Sequence, residues 1–183
     1  ATKVTEAVDL LVATQSRANV TVRMLGEGMK YVGPLAKSAG LTLTEVSAAM
    51  GNLGNAGIQA SMAGTTMRQA IQNMMNPAKR AREAMDELGI SFVKSDGKLR
   101  PFVDILRDLE KASMSTEQIL KMFGVRAGPG MAALISQGAD AFEKLHDDIQ
   151  QVGAAADISA AVMDTLAGKE NQLAAATEKP EKK

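Results

Sequence analysis

Asn76-Pro77-Ala78-Lys79-Arg80-Ala81-Arg82-Glu83-Ala84-Met85-Asp86-Glu87-Leu88-Gly89 is followed directly by Ile90-Ser91-Phe92-Val93-Lys94-Ser95-Asp96-Gly97-Lys98-Leu99-Arg100-Pro101. The first run reads as a complete helix. Asn76 is a capping residue, and Pro77 suits a first turn, where its missing N–H costs nothing. Ala81, Ala84, Met85 and Leu88 recur at helical spacing. Gly89 is placed to end the helix in a left-handed conformation. The period then changes: Ile90 to Val93 reads as a short strand, and Asp96-Gly97 supplies hairpin-turn chemistry. Leu99-Arg100 would be the return strand, and Pro101 opens another helix carrying Phe102, Ile105, Leu106 and Leu109.

Outward from this stretch the helical pattern dominates. Val4, Val8, Leu11 and Val12 mark a first helix. A second begins near Asn19 and is expected to kink at Gly33-Pro34. Thr42-Leu43-Thr44-Glu45 is a capping box ahead of Val46, Met50 and Leu53, and Asn55-Ala56-Gly57 should end that helix. Met67, Ile71, Met74 and Met75 line the next. Ser115-Thr116-Glu117-Gln118 is a second capping box, leading into Ile119, Leu120 and Phe123. Gly124 to Gly130, with Pro129 inside, is expected to be a turn. Met131, Leu134 and Ile135 then form a short helix, Phe142, Leu145 and Ile149 another, and residues 154–173 an Ala-rich one. Thr177 to Lys183 is expected to fray.

Composition agrees. The chain has 183 residues, 45% of them hydrophobic, yet only 3% aromatic, with 12 Met and no Trp. A sheet sandwich would need more β-branched and aromatic side chains, whereas Ala and Met suit helices and the irregular gaps between them. The expected fold is therefore all-α: a multi-helix module of short antiparallel helices with one small β-hairpin near residues 90–100. Its parts are N-terminal helices over 1–40, a helical core with the hairpin over 41–138, C-terminal helices over 139–176, and the tail 177–183.

Lys plus Arg and Asp plus Glu each total 21, so the formal net charge is zero. Such a balance leaves no basic footprint for nucleic acid. Residues 1–139 carry a net +4 and residues 140–183 a net −4; a solvated surface accounts for this, and orientation of neighbouring copies is the sharper alternative. The absence of Cys removes disulfides and thiolate metal sites. Neither a signal peptide nor an apolar run long enough for a bilayer is evident. A start inside a helical pattern, without an initiator Met, is what an excised fragment would show.

Catalytic signals fail one by one. His146, the sole His, sits beside Asp147 and Asp148 without the second His of a zinc-protease motif, and a solvent-facing helical residue explains it. Ser91-Phe92-Val93-Lys94 matches S-x-x-K, but its companion motifs are missing. Gly51, Gly54 and Gly57, like Gly124, Gly128 and Gly130, lack the Lys-Ser/Thr ending of a phosphate loop and read as breaks or close-packing points. The carboxylates of Asp86-Glu87 and Asp147-Asp148 diverge on a helix. No catalytic, cofactor or metal site is expected.

One window stands apart. Between residues 46 and 78 Arg68 is the sole charge, among five Met and four Gly. A buried helix pair is one reading; a Met-rich partner surface, with Met50, Met62, Met67, Met74 and Met75 as its candidates, is the sharper one. Interfacial insertion into a membrane is the third, weakened by polar interruptions throughout.

The order of these motifs resembles the conserved region of tape-measure proteins from long-tailed phages. The resemblance runs from Met29-Lys30-Tyr31-Val32-Gly33-Pro34 through Ala39-Gly40-Leu41-Thr42-Leu43-Thr44-Glu45, Asn55-Ala56-Gly57-Ile58, Gly64 and Asn76-Pro77. It is most diagnostic in Leu88-Gly89-Ile90, Asp96-Gly97-Lys98, Arg100-Pro101 and Asp104-Ile105-Leu106. Phe123-Gly124 and Arg126-Ala127-Gly128 follow, and it fades after Met163-Asp164-Thr165-Leu166-Ala167-Gly168. It covers about three quarters of the chain and implies structural motif positions at Asn76, Pro77, Gly89, Asp96, Gly97, Pro101, Phe123 and Gly124.

What the resemblance implies is a structural role in tail assembly and length determination, within the virion tail and, during assembly, the host cytoplasm. Its implied partners are tail-tube protein, a tail-assembly chaperone and other copies of the chain. The alternative is a membrane- or ejection-related module released with DNA. A sustained heptad pattern, which a long rod would need, is missing, so a compact module within the ruler is expected.

Overall fold

The computed structural model describes residues 2–151, with side chains from residue 7 onward. Eight helices make up the described residues: α1 (Thr2–Arg17), α2 (Val22–Ala39), α3 (Leu43–Asn55), α4 (Ala60–Met75), α5 (Lys79–Leu88), α6 (Phe102–Lys111), α7 (Thr116–Gln137) and α8 (Ala139–Gln150). The all-α class holds. The Ala-rich helix expected over 154–173 and the tail 177–183 lie outside the described residues.

Both capping boxes form. Thr42 accepts from the Glu45 N–H at 3.1 Å while the Glu45 carboxylate takes the Thr42 N–H at 2.8 Å. Ser115 and Gln118 do the same for α7. Each satisfies two donors that a helix start leaves free. Gly89 closes α5 at φ 64°, and the following Ile90 N–H bonds the Met85 carbonyl at 2.9 Å, as the left-handed stop requires.

The hairpin expected near residues 90–100 is not formed. The segment contains no strand, only one antiparallel bridge between Val93 and Leu99. Asp96 and Gly97 do make the turn: Gly97 has φ 77°, and the Asp96 carboxylate accepts from the Lys98 N–H at 3.0 Å. The return arm pairs only around Val93 and Leu99, where the Lys94 N–H bonds the Lys98 carbonyl at 2.7 Å and the Arg100 N–H bonds the Phe92 carbonyl at 2.8 Å. Leu99 donates its N–H to the Ala39 carbonyl at the end of α2, at 2.9 Å, and Phe92 and Leu99 are buried in the core. Pairing stops at that one bridge because Gly89 ends α5 just before the first arm and Pro101, which has no N–H, leads into α6 just after the second, while the outward N–H of Leu99 is taken up by a helix terminus.

Three further expectations are corrected. Asn76 caps the C-terminal end of α4, and Ala78 precedes α5, so Asn76-Pro77 is a linker before the helix start. Helix α2 runs through Gly33-Pro34 uninterrupted. Pro34 and Lys30 are both exposed there, so solvent can take up the carbonyl that Pro34 leaves without a donor. Residues 125–130 are helical rather than a turn. The break in α7 is concentrated at Gly124 alone, with φ 70° and ψ 173°, and Pro129 falls near the start of the second half.

A single hydrophobic core binds these pieces. Helix α4 lies across α2 and α7, while α8 packs on α3, α6 and α1. All four Phe are buried, in two ring pairs: Phe92 with Phe123 at 5.8 Å and Phe102 with Phe142 at 5.3 Å, the second edge-to-face.

Candidate functional site

The low-charge window 46–78 forms the centre of the molecule. Met50, Met67 and Met74 are fully buried there, and Met75 is half-buried. Met62 alone among the five is open to solvent, with 61% exposure. Of the surface candidates read from the sequence, the fold therefore leaves Met62 accessible and spends the other four largely on packing.

Glycine explains how the window packs so closely. Helices α2 and α4 cross at Gly28 and Gly64. A Cβ on Gly64 would overlap the Gly28 carbonyl oxygen and lie 2.6 Å from the Gly28 Cα, and one on Gly28 would lie 2.8 Å from the Ala60 carbonyl oxygen. Backbone meets backbone, and no larger residue fits.

The Phe123-Gly124 position is held by a residue that sequence reading did not single out. Asn73 on α4 donates its side-chain N–H to the Phe123 carbonyl at 2.5 Å, and its own carbonyl oxygen accepts from Gln69 at 3.1 Å. The break at Gly124 frees carbonyls of the first half of α7, and Asn73 satisfies one of them. The available signal was a cluster of amides, Gln69, Gln72 and Asn73, late in a helix whose one charge is Arg68. Beyond the break Val125 stands 81% exposed above a shallow groove shared by Gln69, Asn73 and Arg126.

A second groove, of about 250 Å3, opens between α2 and α3 and is lined by Met29, Ala36, Leu41, Leu43 and Val46. Leu43 at this groove, and Tyr31 elsewhere on α2, are large apolar side chains left substantially exposed. Both residues fall within stretches that carry the resemblance, yet neither is among the surface candidates read from the sequence.

The electrostatics are those of a helical surface. Arg107 on α6 joins Glu143 at 2.8 Å and Asp140 at 3.6 Å on α8. Its pKa is raised by the hydrogen bond and charge of Glu143. His146 is partly buried beside Phe142 and bonds Asp147 at 3.0 Å. Ser91 bonds the Val93 carbonyl at 3.2 Å. Among the described residues no group of acidic, His or Cys side chains is arranged to hold a metal ion, and no helix is long and apolar enough to cross a membrane.

Residues 1–124 match the family described as phage-related minor tail protein. The chain belongs to the phage-related minor tail protein family. The match ends at Gly124, where α7 breaks. Two curated relatives extend it. This tail protein is 32% identical to a tape measure protein of Pneumococcus phage Dp-1 over 177 residues, 93% of the chain and 15% of that relative. It is 31% identical to a probable tape measure protein of Escherichia phage P2 over 142 residues, 73% of the chain and 17% of that relative. The chain thus spans about a sixth of the length of the curated relatives it matches. No solved structure matches it.

The resemblance read from the motifs is borne out, and the protein is a component of a phage tail. Its relatives favour the structural reading over the membrane- or ejection-related one.

Proposed function

We propose that this chain is a compact, non-catalytic helical module of a tape-measure protein, serving tail assembly and length determination through packing and partner contacts. The observation that carries the reading is the way the helices fold back on one core. Laid out as one helix, the 150 described residues would extend about 225 Å at about 1.5 Å each. Here the longest helix has 22 residues and breaks at Gly124. Backbone-to-backbone packing at Gly28 and Gly64 joins segments far apart in the chain.

In this reading tail-tube protein, a tail-assembly chaperone and other copies of the chain are the partners, met first in the host cytoplasm. Met62, Val125, Tyr31 and the groove beside Leu43 are among the apolar surfaces available to them.

The experiment is an in-frame deletion of this segment in the phage that carries it, with tail length measured by electron microscopy. Full-length tails, or none, are expected of a compact module. Shortening by about 1.5 Å per deleted residue would mean the segment lies extended and counts as ruler. Turnover of peptidoglycan by the purified chain would overturn the non-catalytic part.

A further inference from the structure

Helix α5 is charged against its own dipole. Lys79, Arg80 and Arg82 occupy its beginning and Glu83, Asp86 and Glu87 its end, with no acidic residue in the first turn and no basic one in the last. A helix favours the opposite arrangement, anions at the N-terminus and cations at the C-terminus. Nor does Ala78, the residue before it, offer a side-chain cap. The one ion pair within α5, Lys79 Nζ to Glu83 Oε1, is 3.9 Å long and places the cation first, the weaker order. Among the described residues Arg80, Arg82, Asp86 and Glu87 form no ion pair. Burial of Ala81, Ala84 and Met85 against α7 is what holds the helix.

These charges share one face. All six are exposed, opposite the buried side. At about 100° per residue the three cations and the three anions cover the same outward arc, one turn apart. Such a pattern is its own complement. A second copy laid antiparallel across a two-fold axis sets the basic turn of each α5 against the acidic turn of the other, so that residue i meets j and j meets i. The two helix dipoles then also run in opposite directions, which is favourable side by side. Beside this face Leu120 and Ala78 floor a shallow cleft between α5 and α7, where the stems of a partner's long side chains can lie.

We propose that two copies of this chain pair through the outer faces of α5, antiparallel about a two-fold axis. The pairing gives the self-contact in the functional reading above a surface, and rests on that reading only for where it occurs. A ten-residue helix with its rim makes an interface at the small end of the range. Exposed ion pairs contribute modestly and are screened by salt. The association is accordingly weak and salt-sensitive.

Sedimentation velocity of the 19.2 kDa chain tests it. At low ionic strength the mass should rise with concentration toward twice the monomer; in about 1 M salt, where screening acts over about 3 Å, it should fall back to the monomer. Two charge-reversed variants supply the specificity: K79E/R80E/R82E makes the face wholly acidic, and E83K/D86K/E87K makes it wholly basic. Each alone should stay monomeric, and an equal mixture should pair.

Wild-type protein that remains monomeric at low salt overturns the proposal, as does a mixture of the two variants that fails to pair. Helicity by circular dichroism checks that the variants fold; if a triple variant does not, R82E against D86R is read the same way. A monomeric chain leaves the tail-length experiment untouched, and a chain that pairs while tails shorten residue by residue sinks the functional reading alone.

Discussion

The Glu45 carboxylate caps the start of a helix 57 residues away: its Oε1 accepts the Phe102 N–H at 2.9 Å while Oε2 completes the box with Thr42. Pro101, which precedes α6, has no side chain able to cap it, so the carboxylate of α3 supplies the missing acceptor. Glu110 repeats the device, accepting the Ala139 N–H at 3.0 Å where Gly138 leaves α8 uncapped. A negative charge at either helix N-terminus also opposes the positive end of its dipole.

Glu45→Ala removes the cap on α6 and the carboxylate half of the α3 box at once, leaving the Thr42 half, and should cost about 1–3 kcal/mol of stability. Glu45→Gln keeps one acceptor oxygen and should fall between. Chemical denaturation of the three proteins measures this; an Ala variant as stable as the wild type would mean the cross-helix bond carries no weight.

Gly64→Ala should be among the most damaging single-methyl additions in the chain, at about 3 kcal/mol, because the methyl has only the Gly28 backbone to displace. Gly26 is the control. It lies in α2 with nothing within 4 Å of where a Cβ would stand, so Gly26→Ala should gain up to about 1 kcal/mol in helix propensity. Thermal melts that ranked the two the other way round would refute the crossing.

Met67→Glu and Met62→Glu separate core from surface within the low-charge window. Met67 is fully buried and Met62 mostly exposed. The Met67→Glu variant should unfold or lose at least about 3 kcal/mol, whereas Met62→Glu should stay within about 0.5 kcal/mol of the wild type. Equal effects on helicity would contradict the placement of α4.

Glu117 should titrate below its ordinary value of 4.5, because Lys121 donates a hydrogen bond to the carboxylate and lends its charge. A folded-state pKa lowered in this way stabilises the protein above the unfolded value, and the gain is lost as pH falls through the folded pKa. With the side chain 76% exposed, the contribution to stability is small. Carbon NMR of the Glu117 carboxylate reads the midpoint directly. Lys121→Met should return it toward 4.5, and no movement would assign the shift to another source.

Much of the helical order was legible because its causes are local. Thr42 with Glu45, Ser115 with Gln118, and Gly89 after Leu88 each act across four residues or fewer, and apolar spacing marked the buried faces of α3, α4, α6 and α8. The expected hairpin and the expected turn over 124–130 failed for a common reason. Asp96-Gly97 made its turn, but pairing went no further than Val93 and Leu99 before α6 began, and α2 took the outward N–H of Leu99; Gly124 made its break, but the helix resumed at once and Asn73 took the freed carbonyl.

The sequence by itself determined the all-helical class, the two capping boxes and the family, since these rest on residue types in a fixed order. Tertiary structure alone decided that Glu45 would cap α6 and that Gly28 would meet Gly64. It also decided that Met62, of five methionines in one window, would remain at the surface. Those outcomes turn on groups tens of residues apart competing for the same partner or the same space, and that competition is resolved only when the helices pack.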